Sequence, residues 1–355
     1  MTVFKNAKIG DTLTDFGVEK GKFSFVGNTA LPGIDLAGQE VIPGLIDIHT
    51  HGCAGFDTMD GADALREMSR FHLQNGVTAF CPTTMSADRE RLKAVTATLP
   101  AADGARILGF HLEGPCLSLS HKGAQAAEPI QNARLSDMDT LENVKLITLA
   151  PEFPGALEYI EKSAAPICLG HTAADFALSQ QAFRKGACGV THAMNGMPPF
   201  HHRDPGLIGA ALTADRYIQV IADGVHLHPA TVLLLYRAFG AKRMILISDS
   251  MRATGLSDGE YDLGGQAVSV YKGEARLSDA TLAGSACPLL TCVKRAISFG
   301  IPKEDAIHMA SNTPATMLGL NKGRIAPGFD ADFVVVNEDF IPLSAMVEGE
   351  FHPSL

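Results

Sequence analysis

From residue 41 onward, short β-branched apolar runs alternate with segments whose apolar positions recur every three or four residues. The first pattern is that of buried strands and the second that of amphipathic helices. Eight strand-like runs stand out: 41–49 (VIPGLIDIH), 78–83 (TAFCPT), 106–114 (RILGFHLEG), 145–152 (KLITLAPE), 167–172 (ICLGHT), 189–194 (GVTHAM), 217–224 (YIQVIADG) and 244–250 (MILISDS). Helical segments lie between them, such as 62–76 and 230–240, the latter closing on a glycine suited to a helix C-terminus. Repeated strand–helix units predict a parallel sheet, and eight strands are the number that closes a (β/α)8 TIM barrel. The expected fold class is therefore α/β.

Two regions break the alternation. Residues 1–41 and 322–355 read as short strands with turn glycines (KFSFVGN, GRIAPGFDADFVVVNEDF). Both chain ends are expected to meet in a small β-sandwich domain beside a barrel spanning 42–321. Residues 261–286 read as a hairpin inserted after the eighth strand.

A chain of 355 residues, 46% apolar and 19% charged, can bury a large core and is not a disordered one. Its longest apolar stretches, such as ATVLLLY at 230–236, fall short of the roughly 18 to 20 residues of a membrane helix. The opening MTVFKNAKIGD lacks the charged-then-apolar order of a secretory signal, so a cytoplasmic location and no membrane partner are expected. A net charge of -10 argues against a nucleic-acid partner, which requires a basic surface. Seven cysteines without a C-x-x-C pair fit reduced, buried thiols better than disulfides or a cysteine zinc site.

The chemistry gathers at the strand ends. Side chains two apart on a strand share a face, so His49 and His51 both reach the barrel mouth from strand one. Glu113, His171, His192 and Asp249 stand at the ends of strands three, five, six and eight. Those ends build TIM-barrel active sites, and burying such groups unpaired costs several kcal/mol, which a shared cation removes. Imidazole and carboxylate donors suit Zn²⁺, with Fe²⁺ and Mn²⁺ compatible with the same ligand types.

The motifs PGLIDIHTHG, HLEGPCLSLSHKGA, GHTAAD, THAMNGMPPFHHRDPGLIGAAL, IADGVHLHP, ISDSM and TLAGSA occur in an order that resembles the amidohydrolase superfamily. Within it, the chain is similar to the family of N-acetylglucosamine-6-phosphate deacetylases, over nearly its whole length. The resemblance implies metal ligation by Glu113, His171 and His192, with His49 and His51 as ligands of a second ion, so one or two ions per subunit. Asp249 matches the family's proton-transferring aspartate, and His226 its carbonyl-binding histidine. Arg203 matches a phosphate-binding arginine, with Asn195 and Gly196 beside it. Ala124, Leu282, Ala283 and Gly284 match segments lining the sugar pocket. The implied substrate is a small phosphorylated N-acetyl amino sugar, and the implied assembly a homodimer. One departure is Gln125, which stands where the family usually carries a sugar-contacting histidine and puts the epimer preference in question. His111 is expected to support Glu113, while His72, His121, His201, His202, His228, His308 and His352 are assigned no catalytic part.

Three other readings compete. The chain could act on N-acetylgalactosamine 6-phosphate, on another cyclic amide or N-acyl sugar, or be a catalytically silent scaffold. A silent scaffold is expected to lack metal ligands, and this sequence keeps every one.

Overall fold

The apolar run at 41–49 is not one strand. In the computed structural model, which describes residues 1–355, it is split at Gly44 into Glu40–Pro43 and Leu45–Thr50, which join different sheets. Gly44 lies against Thr78: a Cβ there would sit 2.1 Å from Thr78 Oγ1, a separation no pair of heavy atoms tolerates.

The barrel strands are Leu45–Thr50 (β1), Val77–Thr84 (β2), Phe110–Glu113 (β3), Val144–Leu149 (β4), Ile167–Leu169 (β5), Gly189–Val190 (β6), Tyr217–Ile221 (β7) and Met244–Ile247 (β8). Each pairs in parallel with the next from β1 to β8. The ring closes at its C-terminal rim, where Thr50 bridges Ser250 in parallel and the Asp249 amide donates to the His49 carbonyl at 2.9 Å.

Alternate residues of β1, β2, β4, β5, β7 and β8 supply one apolar cluster: Ile46, Ile48, Ala79, Cys81, Leu146, Cys168, Ile221, Ile245 and Ile247. Ala315, Met317 and Leu318 complete it, brought by the helix Asn312–Met317 that packs against β1 and β8. Each large aliphatic side chain so buried contributes roughly 1.5–3 kcal/mol. Neighbouring strand residues such as Val77, Phe80, Leu112, Leu149, Val220 and Leu246 join the larger cluster formed with the helices. The helix Ala62–Gln74 buries Ala64, Leu65, Met68, His72 and Leu73, the three-to-four spacing read from sequence. Pro229–Phe239 begins on its proline and ends at Gly240, whose φ is 68°.

The chain ends pair as one continuous sheet of eight strands rather than two separate ones. Its seam is the antiparallel pairing of Glu40–Pro43 with Phe333–Val336. Phe4 stacks on Phe16 at 5.0 Å and meets Phe333 edge-on at 5.1 Å, giving this sheet an aromatic core of its own. The insertion after β8 has one strand more than the expected hairpin: Gly259–Leu263, Gln266–Tyr271 and Glu274–Arg276 form a three-stranded antiparallel sheet. Gln266 donates to the Ala124 carbonyl across the barrel mouth. No helix is long and apolar enough to cross a membrane.

Candidate metal centre

The strands stop earlier than their apolar runs suggest, and the residues that follow carry the site. His171, His192 and Asp249 have φ of 45°, 26° and 49°, a left-handed region that non-glycine residues rarely occupy. This backbone breaks the regular strand geometry at each of the three positions. His49 is the penultimate residue of β1 and His51 lies just past its end. Glu113 closes β3.

These groups converge. Glu113 Oε1 lies 2.9 Å from His192 Nε2, 3.2 Å from His171 Nε2 and 3.4 Å from His49 Nε2. Its Oε2 lies 3.2 Å from His51 Nε2. Asp249 Oδ1 stands 3.3 Å from His49 Nε2 and 3.4 Å from His51 Nε2. All six residues are buried. Two ligand-like groups share the Glu113 carboxylate: His49, His51 and Glu113, and Glu113, His171 and His192.

Three of the imidazoles are held at Nδ1 by an acceptor. His49 faces Gln219 Oε1 at 3.2 Å, His51 the Thr83 carbonyl at 3.1 Å, and His171 the His121 carbonyl at 2.8 Å. Donation at Nδ1 leaves Nε2 of the neutral ring as a lone pair. The His171 and His192 Nε2 atoms are 3.0 Å apart, those of His49 and His51 3.3 Å, and carboxylate oxygens stand beside both pairs. Apart from the Gln125 amide on Glu113 Oε2, no donor is fixed among these facing nitrogens and oxygens, and a cation satisfies so donor-poor a set, so the residues present fit a divalent metal.

Electrostatics agree. Burial alone would raise Asp249, yet the histidines around it hold it down at about 2. Burial alone would lower His51, yet Asp249 and Glu113 push it up to about 10. Without a metal the cluster attracts protons in its place.

A cavity of about 210 Å³ opens above these groups. Its walls include His51, Glu113, His171, His192 and Asp249, together with Ala124, Gln125, Asn195, Gly196, His226, Leu282 and Gly284 from the sequence-derived set. Gly196 combines a φ of 60° with a Cβ position only 2.9 Å from His171 Nδ1, so a side chain there would push the His171 ring aside. His49 lies beneath the cavity, and Ala283 is buried with its amide donating to Ala275. Arg203 is not brought to the cavity. It is exposed on the loop before the helix Gly206–Thr213, with Nη1 2.7 Å from His202 Nε2. A larger hollow of about 280 Å³, behind Pro115 between Arg89 and Arg134, faces no metal-ligating cluster.

Sequence reasoning missed Asp223. Its Oδ2 lies 2.7 Å from His226 Nδ1, while Oδ1 accepts from the amides of Val225 and His226 at 2.9 Å each. Burial would lower the His226 pKa, but the hydrogen bond and charge of Asp223 outweigh it and raise the pKa. An acid three residues before the histidine in ADGVH was the available signal. His111, expected to support Glu113, makes no hydrogen bond to it: its Nε2 lies 2.7 Å from Thr148 Oγ1 and its ring meets His49 edge-on at 4.6 Å.

Known proteins resemble this chain in sequence and fold. The chain is 38% identical to the N-acetylglucosamine-6-phosphate deacetylase of Vibrio furnissii, covering 95% of this chain and 89% of that one. It is 35% identical to the N-acetylgalactosamine-6-phosphate deacetylase of Escherichia coli O157:H7, covering 87% and 86%. Among solved structures, the N-acetylglucosamine-6-phosphate deacetylase of Pasteurella multocida superposes with a TM-score of 0.93 at 28% identity, covering 99% of this chain and all of that one. The Thermotoga maritima enzyme of the same name gives 0.89 at 32% identity, covering 99% of each. Residues 41–351 match the amidohydrolase family, and with the buried histidine and carboxylate cluster at the C-terminal rim of its barrel, the chain belongs to that family.

Proposed function

We propose that this protein is a metal-dependent deacetylase that hydrolyses N-acetyl-D-glucosamine 6-phosphate to D-glucosamine 6-phosphate and acetate. The observation that carries the reading is the convergence of Glu113, His171 and His192 on one point, with Asp249 and His226 lining the same cavity. Relatives of that name along nearly the whole chain support the substrate.

Glu113, His171 and His192 would hold a divalent ion, which would supply Lewis acidity toward the amide carbonyl and the attacking water. Asp249, ionised despite its burial, accepts the proton of the attacking water and passes it to the departing amine. His226 hydrogen-bonds the acetyl oxygen through Nε2. Its Nδ1 faces Asp223, whose charge raises the ring's pKa and so favours the doubly protonated form in which Nε2 can donate to the developing oxyanion. Asn195, Gly196, Ala124, Gln125 and the Leu282–Gly284 segment form the sugar pocket. Arg203 binds the phosphate, a role that rests on its motif in the sequence.

Zinc is the ion that this nitrogen and oxygen donor set suits best. Residues 42–321 form the catalytic barrel, and 1–41 with 322–355 the small β domain. A homodimer and a cytoplasmic location complete the reading, the latter supported by seven free cysteines, six of them buried.

The test is acetate release from a panel of N-acetylhexosamines with and without 6-phosphate, by wild type and Arg203→Ala. The expected result is turnover of the gluco 6-phosphate and a loss in the variant confined to phosphorylated sugars. Equal losses on both classes would remove Arg203 from the phosphate site, and turnover of the galacto epimer alone would reassign the substrate.

A further inference from the structure

Gln125 is the position at which this chain departs from the resemblance, and its side chain is turned toward the centre. It is buried, 2% exposed. Its Oε1 accepts from the Ser86 amide at 2.7 Å, and its Nε2 donates to Glu113 Oε2 at 2.6 Å. The Ser86 N–H fixes the orientation of the amide. Reversed, the NH₂ group would face another donor and the carbonyl oxygen would face a carboxylate. The loop following β2 thus holds the glutamine, and the glutamine holds the carboxylate at the end of β3.

This bond divides the labour of Glu113. Its Oε1, free of the glutamine, stands nearer His192 and His171, at 2.9 and 3.2 Å, than His49, at 3.4 Å. Its Oε2, the oxygen nearest His51, is committed to a short amide hydrogen bond. An oxygen that accepts such a bond is a weaker donor to a cation, and its carboxylate can no longer rotate freely between two ions.

We propose that Gln125 is a positioning residue that reserves Glu113 for the ion held with His171 and His192 and weakens the position offered by His49 and His51. The inference rests on the deacetylase reading only in taking the cluster as a metal centre. It assigns Gln125 a part in ion affinity and stoichiometry that is separate from any contact with the sugar.

The experiment titrates demetallated full-length protein with Zn²⁺ by calorimetry, and with Co²⁺ by its visible absorption, in wild type, Gln125→Met and Gln125→Ala. Methionine keeps the side-chain volume without the hydrogen bonds, and circular dichroism verifies that each variant is folded. Wild type is expected to take one ion tightly and a second only weakly. Both variants should bind the first ion about 10- to 100-fold more weakly, with the second drawn closer to it in affinity and a changed Co²⁺ spectrum. Two equally tight ions in wild type, or variant titrations that overlay it, overturn the proposal while leaving the metal reading intact. Folded wild type that takes up no ion overturns both.

Discussion

His226 shows how far one side chain's chemistry depends on another. Alone and buried, its imidazole would lose its second proton more readily than in water; the Asp223 carboxylate beside it reverses that direction and raises the pKa. If the charged ring stabilises the oxyanion, kcat/KM should fall as pH rises through the raised His226 pKa. In Asp223→Asn the neutral amide no longer favours the imidazolium, so this alkaline limb should move to lower pH. His226→Ala should cost about 10²–10³ in kcat. A pH–rate profile of Asp223→Asn that overlays the wild type would remove Asp223 from this role. What could be read of the site divides along the same line. His49 and His51 announce themselves because strand periodicity is two, and the sequence can show that. The Asp223–His226 pair and the inward turn of Gln125 depend on hydrogen bonds to loop backbone, at Val225 and Ser86, which no spacing encodes.

At the level of elements, all eight barrel strands were legible because each is an apolar run between turn signals. Their ends were not. The runs at 167–172 and 189–194 shrink to Ile167–Leu169 and Gly189–Val190 because the histidines beyond adopt left-handed backbone, a choice set by the convergence at the centre and not by propensity. The run at 41–49 likewise hides a joint, since both halves are apolar and only the approach to Thr78 separates them. That contact gives a direct test. Gly44→Ala places a methyl group against Thr78 at the boundary of barrel and end sheet. It should destabilise the protein by about 1–3 kcal/mol in denaturant unfolding, and Thr78→Ala should recover part of the loss. A Gly44→Ala variant as stable as wild type would show that the two sheets shift apart freely at this joint.

Across the whole molecule, the buried carboxylates and imidazoles of the metal centre couple ion binding to stability. An ion that binds only the folded state adds about 2.7 kcal/mol when present at a hundredfold excess over its Kd. Chelation should therefore lower Tm by a few degrees and abolish turnover, with zinc restoring both. In the chelated protein, protons take over part of the ion's task. His51, raised from 6.5 to about 10 by Asp249 and Glu113 against its burial, is the main acceptor. A histidine with a raised folded pKa stabilises fully below its unfolded value and loses that contribution as pH rises through the folded one. The metal-free protein should thus lose this contribution progressively between about pH 6.5 and pH 10, whereas the zinc-loaded protein, its nitrogens already engaged, should lack that loss and share only the decline above about pH 9 that the buried thiols impose on both forms. Unfolding midpoints of both forms measured along that series test the idea, and parallel curves would mean that the cluster does not exchange protons for a cation.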